Sequence, residues 1–126
     1  MAVIDCSYLI ALERGDKRAQ TLQLRLEREG HSVRIPAPAW YEFLIGFRAK
    51  LRPAVAEAFR GSSILVAFDS ALAVEAARVQ DLMLAAGSQL SIPDLFIAAT
   101  ATALNEPLVT LDLAFDEVPG LEVIHP

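Results

Sequence analysis

Short apolar runs rich in β-branched residues recur along the chain, and longer segments with helically spaced apolar residues separate them. The five runs are Val3-Ile4, Val33-Arg34-Ile35, Ile64-Leu65-Val66, Pro107-Leu108-Val109 and Leu121-Glu122-Val123-Ile124. The helical period is clearest over residues 19–26, 40–47, 72–83 and 95–104. Strands that alternate with helices favour crossover connections. The pattern therefore predicts a three-layer α/β/α sandwich with a mostly parallel five-stranded sheet.

Glycine, proline and serine lie where those helices should begin and end. Gly30 and Gly87 follow the first and third helical segments, as expected just past a helix end. Pro38 and Pro93 suit the first turns of the second and fourth, and Ser70 is a candidate cap for the third. These signals support the same helix assignments.

Composition places the chain among folded domains and limits its chemistry. With 126 residues, of which 54% are hydrophobic and 21% charged, we expect a single domain over residues 1–126. The longest uncharged stretch, residues 82–93, is too short to span a bilayer, and no basic residue precedes Arg14 as a secretory signal requires. A cytoplasmic protein is therefore expected. One cysteine and two histidines are too few for a zinc cage.

Charge is unevenly distributed along a chain whose net charge is −5. Residues 1–78 carry all 11 basic residues against nine acids, whereas residues 79–126 carry seven acids and no base. A nucleic acid held by a basic rim beside an acidic metal site would explain this asymmetry. Solvated helix faces explain most of these charges equally well.

Four carboxylates stand alone in apolar sequence. They are the only charged residues within residues 1–12, 35–47, 82–105 and 107–115: Asp5, Glu42, Asp94 and Asp112. A carboxylate that loses its hydration must find a partner, take up a proton or bind a cation.

The predicted strands bring these acids toward one place. Asp5 follows the first strand and Asp112 the fourth, at the edge of an open sheet where ligands bind. Glu42 and Asp94 join them if their helices begin at that edge. Gathered carboxylates repel one another unless a cation neutralises them, and oxygen ligands favour Mg²⁺ or Mn²⁺. Such a site suits hydrolysis of phosphodiesters.

Helix capping is a competing explanation, because Asp is a common N-cap and suits a first helical turn. It accounts for Asp5, Asp94 and Asp112 taken singly. Asp69 shows the same isolation, and there capping is favoured because Ser70 and a long helix follow. Glu42 lies within a helical segment, where no cap is needed.

Four short motifs occur in an order that resembles the PIN domain family, in particular the single-domain toxins of VapBC toxin–antitoxin pairs. The resemblance extends from end to end of the chain. Its motifs are Val3-Ile4-Asp5-Cys6-Ser7, Trp40-Tyr41-Glu42, Ile92-Pro93-Asp94-Leu95-Phe96-Ile97-Ala98-Ala99 and Leu108-Val109-Thr110-Leu111-Asp112.

This resemblance implies a Mg²⁺- or Mn²⁺-dependent endoribonuclease built on a parallel five-stranded sheet. The principal metal ligands and catalytic residues would be Asp5 and Asp94, completed by Glu42 and Asp112. The hydroxyls of Ser7 and Thr110 would orient acids or water; these roles are read from the motifs Val3-Ile4-Asp5-Cys6-Ser7 and Leu108-Val109-Thr110-Leu111-Asp112.

The resemblance also implies a homodimer and a cognate antitoxin protein lying across the active-site groove. Many relatives carry a further acid or His where this chain has Ala114, just before Phe115. That departure weakens a second metal site and leaves Asp112 or Asp116 to supply what remains.

Arg48 and Arg52 follow the Glu42 segment and are candidates to grip an RNA backbone, since arginine contacts phosphates with a fork of donors. Two other classes of protein are compatible with a small acidic α/β domain. A phosphoacceptor receiver domain should carry a Lys near its last strand, and no Lys follows Lys50. A degenerate PIN module that binds RNA or a protein without cutting stays open because of Ala114.

Overall fold

A computed structural model of the protein describes residues 1–46 and 53–126. The strands are β1 (Ala2–Ile4), β2 (Val33–Pro36), β3 (Ile64–Val66), β4 (Leu108–Val109) and β5 (Val123–Ile124). They form one five-stranded sheet in the order β3-β2-β1-β4-β5, and every neighbouring pair is parallel. The predicted strands and the α/β/α class are confirmed.

β1 lies at the centre of this sheet, where the direction of strand addition reverses. Val3 pairs with Arg34 of β2 on one side and with Leu108 of β4 on the other. The chain first builds β2 and β3 outward from β1, then returns to add β4 and β5 on the opposite side. The carboxyl ends of β1 and β4 therefore meet at the switch point, where such sheets bind ligands.

Six α-helices cover the sheet, and none of those in the described part is long and apolar enough to cross a bilayer. They are α1 (Cys6–Glu13), α2 (Lys17–Arg28), α3 (Ala37–Gly46), α4 (Pro53–Gly61), α5 (Ser70–Ala85) and α6 (Ile92–Leu104). A 3-10 helix follows β4 at Leu113–Glu117. α5 packs along α6, whereas α1 packs against α2 and α3.

Most predicted helix ends are confirmed, with one correction. α5 begins with Asp69 as its N-cap, whose side chain accepts a 2.9 Å hydrogen bond from the backbone N–H of Leu72. Ser70 is the first helical residue and not the cap. Capping was therefore the right interpretation of Asp69. At the other end Gly87 adopts a φ of +76°, which favours glycine.

The sequence pattern did not predict α1 or α4. Between Cys6 and Leu12 the residues of α1 are largely apolar on every side, so they show no helical period. The helix is wedged between the sheet and its neighbours, with Tyr8, Leu9 and Ala11 buried. The Tyr8 hydroxyl lies 3.0 Å from Gln23 Oε1, which ties α1 to α2.

The core sits where the central strands meet α1, α3 and α6. β1 is wholly buried, as are both residues of β4. The largest fully buried side chains include Tyr8, Phe43, Phe115, Ile35 and Ile97. This packing fixes the carboxyl ends of β1 and β4 relative to the first turns of the helices beside them.

Candidate active site

Asp5 is a buried carboxylate at the carboxyl end of β1, 5% exposed to solvent. Its Oδ1 accepts hydrogen bonds from the Tyr8 N–H (3.0 Å) and the Ser7 hydroxyl (2.7 Å). Its Oδ2 accepts a 2.6 Å bond from the Thr110 hydroxyl. Asp5 is thus the N-cap of α1 and also a fixed acid at the sheet's switch point, so capping and clustering are not exclusive.

Ser7 and Thr110 join Asp5 to the loop after β4. Their hydroxyl oxygens lie 3.3 Å apart, and each accepts a backbone bond from that loop. The Leu111 N–H donates to Ser7 Oγ and the Asp112 N–H donates to Thr110 Oγ1, both at 3.0 Å. The two hydroxyls therefore set both the orientation of the Asp5 carboxylate and the path of the chain toward Asp112.

Glu42 enters the site from the middle of α3, which begins directly after β2. Its Oε1 atom is shielded from solvent and has no hydrogen-bond partner among the residues the structure describes. Burial raises the pKa of Glu42, and the charges of Asp94 and Asp5 raise it further. A buried carboxylate oxygen without a donor is costly, so this atom is poised for a cation or a proton.

Asp94 lies in the first turn of α6 and is half-buried. The first-turn position predicted for Asp94 is confirmed, and the N-cap of α6 is Ser91. Burial raises the pKa of Asp94 and the charge of Asp112 adds to the shift, while a hydrogen bond involving Ser91 opposes it. Asp94 in turn raises the pKa of Asp5, for which burial is the largest cause.

Asp112 is exposed and caps the 3-10 helix after β4, accepting a 2.9 Å bond from the Ala114 N–H. Ala114 thus contributes a backbone donor here. Asp116, the other acid considered at this end, is bonded at 2.9 Å to His125 Nε2. Of these two acids, Asp112 is the one whose charge acts on Asp94.

The charges of Asp5, Glu42 and Asp94 act on one another, that of Asp112 acts on Asp94, and among the described residues no base neutralises any of the four. Across residues 1–46 and 53–126, no ion pair involves any of them. In the same part of the chain no three His, Cys, Asp or Glu side chains already surround a common point closely enough to hold a metal ion. The donor set itself suits a hard divalent cation, because it is made of oxygens and Glu42 Oε1 lacks a partner.

Cys6 is adjacent to these acids. Burial, followed by the charges of Glu42, Asp5 and Asp94, raises the pKa of the Cys6 thiol to about 12. A thiol so strongly held in its neutral form is not a nucleophile at neutral pH. The charges of Glu42, Asp5 and Asp94 thus all act on this one side chain.

Two of the sequence-predicted site residues, Arg48 and Arg52, lie outside the described residues. His125 belongs to none of the sequence motifs, yet the structure brings it to Thr110. Its Nδ1 lies 2.7 Å from the backbone oxygen of Thr110, one residue from the acidic site. No sequence signal reveals this contact, because it depends on β5 pairing beside β4.

Comparison with solved structures finds the same fold in chains of toxin–antitoxin complexes. A chain of the Rickettsia felis VapBC2 complex bound to promoter DNA matches with a TM-score of 0.85 at 17% identity, covering 99% of this chain and 98% of that one. A toxin–antitoxin complex from Klebsiella pneumoniae matches at 0.78 and 22%, covering 98% and 96%. Mycobacterium tuberculosis VapBC-5 matches at 0.72 and 23%, covering 99% and 98%.

At these identities the likeness concerns the fold. No curated protein sequence matches the chain significantly. The sequence model of the PIN domain, however, matches residues 2–121, nearly the whole chain. The chain belongs to the PIN domain family.

Proposed function

We propose that the protein is a Mg²⁺- or Mn²⁺-dependent endoribonuclease that acts as the toxin of a type II toxin–antitoxin system. The observation that carries this proposal is the gathering of Asp5, Glu42, Asp94 and Asp112 without a neutralising base among the described residues. Burial and the neighbouring acids raise the pKa of Glu42. Such an arrangement costs stability unless a cation is bound, and a cost of this kind is typical of functional sites.

Asp5, Asp94, Glu42 and Asp112 would hold the metal. A bound divalent ion supplies activation of a water molecule and stabilisation of the charge that develops on the phosphate. A carboxylate offers about four acceptor positions, of which Asp5 uses three for Tyr8, Ser7 and Thr110. The remaining position is free for a ligand, and the three hydrogen bonds keep the carboxylate from turning away.

Support for the toxin role comes from the solved structures of the same fold. Three that match nearly the full chain are named as VapBC or toxin–antitoxin complexes. On that basis we expect a cognate antitoxin protein, a homodimer and a cytoplasmic location. Light scattering coupled to gel filtration, with and without the product of the neighbouring reading frame, tests the first two expectations.

The experiment for the activity incubates the purified protein with total cellular RNA and Mg²⁺ or Mn²⁺, with and without EDTA. Glu42→Gln is the matched inactive variant, because it keeps the shape of the side chain and removes the charge. Asp81→Asn is the matched control, since Asp81 is an exposed acid on α5 away from the cluster. Discrete fragments are expected from the parent protein and from Asp81→Asn, and none with EDTA or Glu42→Gln.

A degenerate module that binds RNA or a protein without cutting gives a different result. Calorimetric titration of Mn²⁺ into the EDTA-treated protein separates the two functions. If the folded protein neither cuts RNA nor binds Mn²⁺, the nuclease proposal is wrong and the non-cutting binding module is the better account. Binding of Mn²⁺ that disappears in Glu42→Gln and persists in Asp81→Asn supports the proposed site.

We also propose that Arg48 and Arg52 contact the RNA backbone. Replacing both by Ala should reduce the salt dependence of RNA binding, because each lost phosphate contact lowers the slope of log affinity against log salt by about 0.7 for single strands. An unchanged slope would remove these two residues from the RNA-binding surface.

A further inference from the structure

A basic recess lies beside the acidic site and is not used by the chemistry described above. It is formed by α2 together with the segment that follows β5, and its volume is about 350 Å³. Among the described residues that line it, Lys17, Arg18 and Arg25 carry positive charge, no acidic side chain is present, and His125 and Pro126 form the other side. In a protein with a net charge of −5, such a grouping is a local exception.

The two cations at the start of α2 are placed where they do not help their own helix. Lys17 and Arg18 are the first two residues of α2, and positive charge at a helix N-terminus opposes the helix dipole. Both side chains are exposed, and no ion pair within residues 1–46 and 53–126 includes either. Their charges are therefore available to an external anion.

The other side of the recess is held by hydrogen bonds to acceptors. His125 Nδ1 lies 2.7 Å from the Thr110 backbone oxygen and Nε2 lies 2.9 Å from Asp116 Oδ1. These two bonds fix the imidazole ring at the side of the recess opposite α2. Asp116 is occupied by its bond to His125 and does not line the recess.

The recess is only one residue away from the acidic site. The Thr110 backbone oxygen bonds to His125, while the Thr110 side chain bonds to Asp5 at 2.6 Å. A strand of nucleic acid whose phosphodiester lies at Asp5 would therefore carry a neighbouring phosphate toward α2. Arg18 and Arg25 offer guanidinium forks and Lys17 a compact ammonium, which are the usual phosphate contacts.

We infer that this recess is a subsite for a backbone phosphate of the RNA that flanks the bond to be cut. The inference rests on the proposed nuclease function for the identity of its ligand. The subsite would fix the direction in which the strand enters the site, while leaving base identity unread, because phosphate contacts position a strand without specifying its sequence.

The test measures binding of a labelled, mixed-sequence 2′-O-methyl RNA oligonucleotide by fluorescence anisotropy over a range of salt concentrations. The 2′-O-methyl groups and added EDTA prevent cleavage. The double variant Lys17→Gln/Arg18→Gln removes two recess charges. The control Arg28→Gln/Arg60→Gln removes two exposed charges that do not line the recess, one of them on the same helix.

The recess variant should bind about tenfold more weakly than the control pair, and its salt slope should fall by about 1.4, the value for two lost phosphate contacts on a single strand. Equal losses in both double variants would overturn the inference, since the charges would then act only at long range. Unchanged RNA binding together with weaker binding of a polyglutamate peptide would also overturn it, in favour of an acidic protein segment.

The results distinguish failure of the subsite from failure of the nuclease proposal. Cleavage of total RNA by the parent protein, with no difference in salt slope between the two double variants, rejects the subsite alone. Specific loss of RNA binding in the recess variant, in a protein that cuts no RNA, rejects the nuclease and keeps a phosphate-binding recess. Equal melting temperatures of the two double variants show that the comparison concerns binding and not folding.

Discussion

The Thr110 hydroxyl donates a 2.6 Å hydrogen bond to Asp5 Oδ2, joining residues 105 positions apart in the sequence. The same hydroxyl oxygen accepts the Asp112 N–H at 3.0 Å. One buried side chain thus connects the carboxyl ends of two central strands and positions an acid on each. This relationship makes Thr110 a positioning residue for the acidic site.

Thr110→Val keeps the shape of the side chain and removes the hydroxyl. We expect it to lower the free energy of unfolding by about 1–2 kcal/mol, because a buried donor and acceptor are lost. Mn²⁺ affinity should fall by about 10–100-fold, the usual effect of removing a group that orients a metal ligand. Urea unfolding and calorimetric titration measure the two effects.

The control for that variant is Thr100→Val in α6. Thr100 is also buried, but its hydroxyl donates to the Phe96 backbone oxygen within its own helix. Its loss should cost some stability and leave Mn²⁺ affinity unchanged. Equal effects of the two variants on metal binding would show that Thr110 has no special connection to the acidic site.

Single substitutions that remove one carboxylate charge should show which acids only repel their neighbours and which acid also stabilises the fold through hydrogen bonds. Glu42→Gln and Asp94→Asn relieve repulsion, so the metal-free variants should melt at or above the temperature of the parent protein. Asp5→Asn presents an amide N–H₂ to one of its hydrogen-bond donors, the Thr110 hydroxyl or the donors at Oδ1. We expect it to melt lower, by an amount equivalent to about 1 kcal/mol.

Thermal unfolding in EDTA measures this order directly. The clustering of charges alone would predict stabilisation by all three substitutions, whereas helix capping alone would predict destabilisation by both aspartate variants. A lower melting temperature for Asp94→Asn would therefore show that the first-turn position of Asp94 in α6 outweighs its repulsion by the other acids.

The stability advantage of Glu42→Gln should depend on pH. Burial and the charges of Asp94 and Asp5 raise the pKa of Glu42 above its ordinary value of 4.5. Between the ordinary and the raised pKa the folded protein holds more protons than the unfolded chain, so the free energy of unfolding falls as pH rises. Glu42→Gln has no carboxyl group at this position, so its free energy of unfolding should not show this decrease.

Urea unfolding of the parent protein and of Glu42→Gln, each in EDTA at a series of pH values from 4 upward, tests the sign. The difference in free energy of unfolding, variant minus parent, should be close to zero near pH 4 and grow as pH rises through the raised pKa. A difference that is already complete at pH 4, or that shrinks with rising pH, would show that Glu42 is not desolvated. Saturating Mn²⁺ should reduce the difference at pH 7.

Cys6 offers a chemical probe of the same acids, since it is the one cysteine of the sequence. Burial and the three neighbouring acids raise the pKa of its thiol to about 12, so iodoacetamide should react with it far more slowly than with the urea-unfolded chain. Glu42→Gln should speed the reaction, because one of the charges that disfavour the thiolate is gone.

The matched control for this measurement is Asp81→Asn, an exposed acid on another helix. It should leave the alkylation rate unchanged. Equal rates for the parent protein and Glu42→Gln, across pH 7 to 9, would mean that burial alone governs the thiol and that Glu42 does not act on Cys6.

Much of the fold could be predicted from the sequence because its signals are local. The β-branched runs predicted all five strands, and Pro38, Pro93 and Gly87 mark the ends of their own helices. α4 was not predicted, and α1 escaped prediction because its residues from Cys6 to Leu12 are largely apolar on every side, a pattern that has no helical period.

The sequence by itself also determined which acids are candidates, because Asp5, Glu42, Asp94 and Asp112 are each alone among apolar residues. Only the tertiary structure decided what each one does. Asp5 both caps α1 and receives Thr110, Asp94 leaves the capping to Ser91, and His125 reaches Thr110 from β5. The physical reason is strand order: residues distant in sequence become neighbours only when β1 pairs with β4 and β4 with β5.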